Sequence, residues 1–125
     1  MPRDARLRLK IQLLCGDEFA IGPGKAALLE AIAARGSISA AGRALGMSYR
    51  RTWLLADSLN RTWSGPMIAT AHGGARGGGA SLTPLGIQVL ADYRALEAAV
   101  ARTAERAARA LLDKLAAAPR GSQTD

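Results

Sequence analysis

Cysteine and histidine are nearly absent from this sequence: Cys15 and His72 are the only ones among 125 residues. A single cysteine forbids an internal disulfide and fits a reducing cytoplasm. Two such residues are too few for a structural zinc site, which normally takes four ligands. His72 has no carboxylate or nucleophile beside it, and Asp17, Glu18 and Asp57 are scattered. An enzymatic reading has no constellation to rest on, and neither a metal nor a cofactor is implied. Long apolar runs are missing too. No stretch approaches the roughly 20 residues needed to cross a bilayer. The N-terminus alternates charged and apolar residues and lacks the continuous apolar core of a signal peptide. The expectation is a soluble, cytoplasmic protein.

Aromatic residues make up only 4% of the chain, and alanine is abundant, which favours helix. The length suits one domain that can bury a real core. Acid is the scarce charge: 10 Asp and Glu face 17 Lys and Arg, for a net charge of +7 and a pI near 10.8. Such a surplus suits a polyanion, nucleic acid first and an anionic membrane surface second. The competing reading is a genome rich in arginine codons.

Residues 6–14 alternate Arg6, Arg8, Lys10 and Gln12 with Leu7, Leu9, Ile11 and Leu13. Period two predicts a strand with one wet face. Its basic face is either a DNA contact or a solvated edge guarded by charge. Gly16-Asp17 is a turn, and Phe19 and Ile21 form a short returning strand. Pro23 then opens a helix at the position where its missing N–H costs nothing. Leu28, Leu29, Ile32 and Ala33 give it a buried stripe, and Gly36 ends it. Lys25 lies in the first turn, where the helix dipole disfavours a cation. A phosphate held near the helix start explains that placement; an ordinary exposed lysine explains it equally.

Residues 36–60, GSISAAGRALGMSYRRTWLLADSLN, read as two short helices and a tight turn. Ser39 is the expected cap of the first, and Ala40, Ala41, Ala44 and Leu45 recur at helical spacing. Gly46 stands where the chain leaves a helix in the left-handed conformation, and Ser48 caps the second helix. Small residues in the first let the second cross it closely. This is the construction of a helix-turn-helix, whose second helix lays its N-terminal residues against base edges. Thr52, Ala56 and Leu59 share the packing face, while Tyr49, Arg50 and Arg51 project outward. Trp53 reads as a core or interface anchor, or as a base or sugar contact. Leu54 and Leu55 are unusual on a half-solvated helix, and one of them is expected to pack under the glycine-rich segment that follows. That segment, His72 to Gly79, lies between short strands at Met67–Ala71 and Ala80–Leu82. Two strands after a helix-turn-helix make a wing. Arg76, its only charge, can reach a phosphate or the minor groove. No lysine followed by Ser or Thr closes the glycine run, so it is not a P-loop.

These residues carry a resemblance. Gly36-Ser37-Ile38-Ser39, Ala41, Ala44, Gly46, Ser48-Tyr49-Arg50 and Trp53, with the glycine-rich loop and Leu82-Thr83, resemble the LysR-type helix-turn-helix. The match is strongest to the N-terminal DNA-binding domain of the ModE-like molybdate-responsive regulators, over roughly residues 6–100. In those domains the basic residue of the loop falls at the position matching Ala75; here the arginine is one place later. The resemblance implies a mainly α fold with a small β component: a winged helix-turn-helix, N-terminal strands and a long C-terminal dimerisation helix. Full-length ModE proteins bind molybdate in C-terminal domains that follow this one. The chain is expected to end where those begin and to carry no recognisable oxyanion site.

Thr83-Pro84 is a cap followed by proline at the first helical position. With no breaker before Pro119 except Gly86, the helix predicted over 84–118 runs roughly 50 Å. Val89, Tyr93, Leu96, Val100, Ala104, Ala107, Leu111 and Leu115 form one seam, with a slip after Val100. A helix too long for its domain needs a partner, and a second copy fits best. The expected organisation is an N-terminal strand or hairpin over 1–21, the winged motif over 22–83, the dimerisation helix over 84–118 and a disordered tail over 119–125. The function expected is a sequence-specific regulator binding an inverted repeat of double-stranded DNA as a homodimer, not a membrane. Ser37, Ser48, Tyr49, Arg50, Arg51, Thr52, Arg76 and Lys25 are its candidate DNA contacts. Val89, Tyr93, Leu96, Val100 and Leu111 are its candidate dimer contacts. An adaptor pairing with a full-length relative and a nonspecific nucleoid protein are the alternatives.

Overall fold

The computed structural model describes residues 4–71 and 79–122. The elements run β1 (Leu13–Cys15), β2 (Glu18–Ile21), α1 (Pro23–Arg35), α2 (Ile38–Ala44), α3 (Tyr49–Arg61), β3 (Ile68–Ala71), β4 (Gly79–Leu82) and α4 (Pro84–Leu112). Two antiparallel two-stranded sheets, β1–β2 and β3–β4, accompany the helices. The chain is mainly α, compatible with a winged helix carrying a long C-terminal helix. It divides into two compact units, Lys10–Arg94 and Met1–Leu9 with Ala95–Asp125. No helix among the described residues is long and apolar enough to cross a membrane.

In the unit Lys10–Arg94, local signals set the helix ends. Pro23 opens α1, and Gly36 closes it at φ 71, its N–H bonding Ile32 O at 2.8 Å. Here only glycine escapes the left-handed penalty. Helix α2 starts two residues earlier than the Ser39 cap would place it. Ser37 is extended, and its side chain accepts from Ala40 N at 3.1 Å, which leaves Ser39 inside the helix. Ser48 caps α3 as expected, accepting from Arg51 N at 3.1 Å.

The core joins Ile21, Ala26, Leu28, Leu29 and Ile32 to Ile38, Ala41, Ala56, Leu59, Met67, Ile68, Val89 and Tyr93. In the α1 stripe Ala26 is buried and Ala33 is exposed. Of the alanine positions in α2, Ala41 is buried, while Ala44 and Leu45 face solvent. Helices α2 and α3 touch at Gly42. A Cβ there would lie 2.1 Å from Thr52 Oγ1 and 2.8 Å from Thr52 Cβ.

The strand predicted over residues 6–14 forms only at Leu13–Cys15. Its partner β2 is four residues long, and the register breaks between Leu13 and Leu14. Without a neighbour to complete the ladder, the residues before Leu13 stay out of the sheet despite their alternation. Ile11 O instead accepts the Tyr93 hydroxyl at 2.7 Å.

The second hairpin pairs Ile68 with Leu82 and Ala71 with Gly79. Asn60 at the end of α3 holds its base: Oδ1 accepts from Met67 N and Ile68 N at 2.8 and 2.9 Å, and Nδ2 donates to Ile68 O at 3.2 Å. Ala80 N donates to Gly36 O at 2.9 Å, fixing β4 to the α1–α2 corner. Thr83 Oγ1 accepts from Gly86 N at 3.0 Å, the expected cap of α4. At Gly86 a Cβ would meet Met67 O at 2.3 Å, so the residue is needed for close approach.

In the other unit, α4 runs on from Ala95 and ends at Leu112 instead of 118. Its last bonds tighten from i−4 to i−3: Asp113 N reaches Arg109 O, then Lys114 N reaches Leu111 O and Leu115 N reaches Leu112 O. This 3₁₀-type turn satisfies the last carbonyls and unwinds the helix before any proline. The half-buried stripe here is Val100, Ala101, Ala104, Ala108 and Leu112, while Leu96, Ala107 and Leu111 are exposed. Ala5, Arg6 and Leu7 share a groove of about 300 Å³ with Glu105, Arg109 and Leu112. The chain's own N-terminal segment therefore lies beside Leu112 of the half-buried stripe.

Candidate nucleic-acid interface

Helix α3 buries Thr52, Ala56 and Leu59, and about 100° per residue then turns Arg50, Leu54, Asp57 and Arg61 to the opposite side. Tyr49 and Trp53 occupy one flank, with ring centroids 6.0 Å apart and planes tilted by 51°. Tyr49 is 72% exposed and Trp53 also reaches solvent. Arg51 occupies the other flank. Among the described residues no ion pair neutralises Arg43, Arg50 or Arg51. The first turn of α3 contains no acidic residue. Two cations therefore stand at the positive end of a helix dipole, an arrangement that favours an incoming anion.

The far end of α3 is electrostatically closed. Arg61 Nε bonds Asp57 Oδ2 at 2.7 Å, and its Nη2 bonds Glu18 Oε1 at 2.8 Å. The hydrogen bond from Arg61 holds the Glu18 carboxyl below its ordinary range. Bonds to Asp57 and Glu18 push Arg61 up in turn. The acids nearest α3 are thus engaged at its C-terminal end, and its N-terminal turn keeps its charge.

Beside Trp53 a cleft of about 350 Å³ opens between the start of α2 and the Thr70–Ala71 and Gly79–Ala80 end of the β3–β4 ladder. Ser37, Ile38, Ser39, Thr70, Ala71, Gly79 and Ala80 complete its lining. Ser37 lies at its edge, half-buried, with its oxygen engaged in the α2 cap.

The structure brings Ser48, Tyr49, Arg50 and Arg51 together on one exposed turn. Two other candidates are corrected. Lys25 does not face a phosphate: it is 8% exposed, and its ammonium donates to Phe19 O and to Ser58 Oγ, the latter at 2.7 Å. Desolvation pushes its pKa down, with nearby Glu18 partly opposing. Thr52 is 1% exposed; its hydroxyl donates to Ser48 O at 2.7 Å and its side chain packs on Gly42. It belongs to the packing face alone. Arg76 lies outside the described residues. Of the dimer candidates, Val89 and Tyr93 are core residues of the protomer, 9% and 3% exposed. They cannot meet a second copy while the core is intact. Leu96 and Leu111 remain exposed and Val100 is half-buried.

Asn60 and Trp63 were not legible as positioning residues. Trp63 Nε1 donates to Ala20 O at 3.1 Å, joining the segment after α3 to β2. Asn60, polar at the end of an amphipathic helix, was the only advance signal that a following strand needed a side-chain anchor.

A helix, a glycine turn, a capped cationic helix and two trailing strands make a mainly α domain compatible with a winged helix. No family model matches the chain. Curated relatives do. The chain is 45% identical over 82 residues to the molybdenum-pterin-binding protein MopB of Rhodobacter capsulatus, covering 66% of this chain and 30% of that protein. It is 44% identical over 71 residues to the molybdenum transport protein ModE of Herbaspirillum seropedicae, covering 57% and 26%. It is 32% identical over 93 residues to the DNA-binding transcriptional dual regulator ModE of Escherichia coli, covering 74% and 34%. The matches span about a third or less of each relative. The homologues of this chain are thus ModE and Mop proteins, consistent with a ModE-like N-terminal domain.

Proposed function

We propose that the chain is a sequence-specific DNA-binding regulator of transcription, acting in the cytoplasm on genes of molybdenum homeostasis. One observation carries the reading. Arg50 and Arg51 stand exposed and unneutralised, among the described residues, at the capped start of a helix whose opposite face is core. In the winged helix-turn-helix arrangement this turn enters the major groove, where an arginine forks onto guanine O6 and N7. Ser48 and Tyr49 are placed for phosphate oxygens. The printed names of the relatives support transcription and molybdenum as the setting.

Two copies joined along α4 through Leu96 and Leu111 would offer two α3 helices to one duplex. The half-sites would then lie one DNA turn, roughly 34 Å, or a multiple apart, as an inverted repeat. The test starts with duplexes selected by the protein from a random pool. Binding should weaken as salt rises. Arg50→Ala should lose about 1–3 kcal/mol on the selected sequence. Light scattering should give a dimer mass that Leu96→Asp with Leu111→Asp reduces. Equal titrations for wild type and Arg50→Ala would overturn the base-contact assignment.

A further inference from the structure

The two adjacent leucines of α3 separate in the structure. Leu55 packs against the core, whereas Leu54 is 57% exposed on the outermost line of the helix, one turn beyond Arg50. With Trp53 and Tyr49 it makes an exposed apolar strip on the helix that carries Arg50 and Arg51. Those cations decide what covers the strip. An apolar protein partner would have to desolvate them without compensation, whereas the major groove offers both charge and methyl groups. Thymine C5-methyls are the apolar features that groove displays.

We infer that Leu54 is a specificity-determining residue that packs on the C5-methyl of a thymine near the guanine contacted by Arg50. The inference rests on the proposal that α3 reads DNA. Four helical residues advance about 6 Å, or about two steps of a strand that rises about 3.4 Å per base. The thymine should therefore fall within about two base pairs of the guanine.

The experiment replaces each thymine of a selected duplex by deoxyuridine, which removes the methyl and leaves pairing and phosphate charge intact. Binding is read by fluorescence anisotropy. For wild type, one or two replacements beside the guanine should weaken binding about fourfold, the value of one buried methyl-sized group. Leu54→Ala should bind the thymine duplex about as weakly as wild type binds the deoxyuridine duplex. It should no longer respond to the replacement, and its salt dependence should be unchanged, because no charge is lost. Circular dichroism should show the variant folded, since Leu54 is outside the core.

Wild-type binding indifferent to every replacement would overturn the inference. So would a Leu54→Ala variant that still senses the methyl, or one that changes only the oligomeric mass. Failure to select or shift any duplex would sink the DNA reading itself. Binding that ignores the methyls would sink this inference alone.

Discussion

Replacing Gly42 by alanine tests how the two helices of the motif are fitted. In isolation the change should stabilise α2, because alanine is favoured over glycine by about 1 kcal/mol in a helix interior. The α2–α3 crossing opposes it. The new Cβ would stand 2.1 Å from Thr52 Oγ1, 2.7 Å from Cγ2 and 2.8 Å from Cβ. Carbon atoms pack at about 3.5–4.0 Å. Rotating Thr52 moves Oγ1 and Cγ2 but not its Cβ, so the helices themselves must part. Overpacking of this kind costs about 1–3 kcal/mol. The net expectation is a loss of up to about 2 kcal/mol, or a melting temperature lower by up to about 8 °C for a domain of this size. Gly24→Ala is the control, since nothing lies within 4 Å of a Cβ at that helical position. It should leave the melting temperature unchanged or raise it. Thermal unfolding followed by circular dichroism gives both values. A Gly42→Ala protein as stable as Gly24→Ala would refute the close-crossing argument.

Three further outcomes follow from the same contacts. Gly86→Ala should destabilise more than Gly42→Ala, because its Cβ would meet the backbone oxygen of Met67 at 2.3 Å and no side chain can yield; denaturant titration ranks the two. Asn60→Ala should cost about 1–3 kcal/mol, since buried main-chain groups of Met67 and Ile68 lose their partner. Hydrogen exchange should then rise at those two amides first. Lys25 gives a pH signature. Its folded pKa lies below the ordinary 10.5. Between the folded value and 10.5 the unfolded chain holds the extra proton, so stability should rise with pH across that window. Lys25→Met should remove this increment relative to wild type. Identical pH profiles of the two proteins up to about pH 10.5 would contradict the desolvation argument.

The sequence revealed signals that act over one helical turn. Gly36, Gly46, Ser48 and Thr83 all do what their local chemistry requires. The Thr52–Ala56–Leu59 face also followed from periodicity alone. What escaped depends on segments distant in the chain. Lys25 looked misplaced on its helix because its partners, Phe19 O and Ser58 Oγ, come from β2 and α3. Only the packed structure brings those two acceptors to the buried ammonium. Alternation over residues 6–14 described a strand but could not show that β2 offers only four residues to pair with. Val89 and Tyr93 fitted a dimer seam by spacing, yet the same spacing serves a protomer core. On the candidate interface, Tyr49, Arg50 and Arg51 were legible as outward residues, whereas Thr52, read both as packing and as a DNA contact, is buried.

Gly36 ends one helix, precedes the cap of the next, and offers its carbonyl to Ala80. The hairpin is therefore registered to the helix pair through peptide groups, which every residue type supplies. Substitutions among the small residues of β3 and β4 should leave its bearing unchanged as long as this joint survives, except at Gly79, where a Cβ would stand 3.2 Å from Gly36 O. The surface chemistry of the hairpin is in that sense free to diverge, while the angle at which it is presented is not.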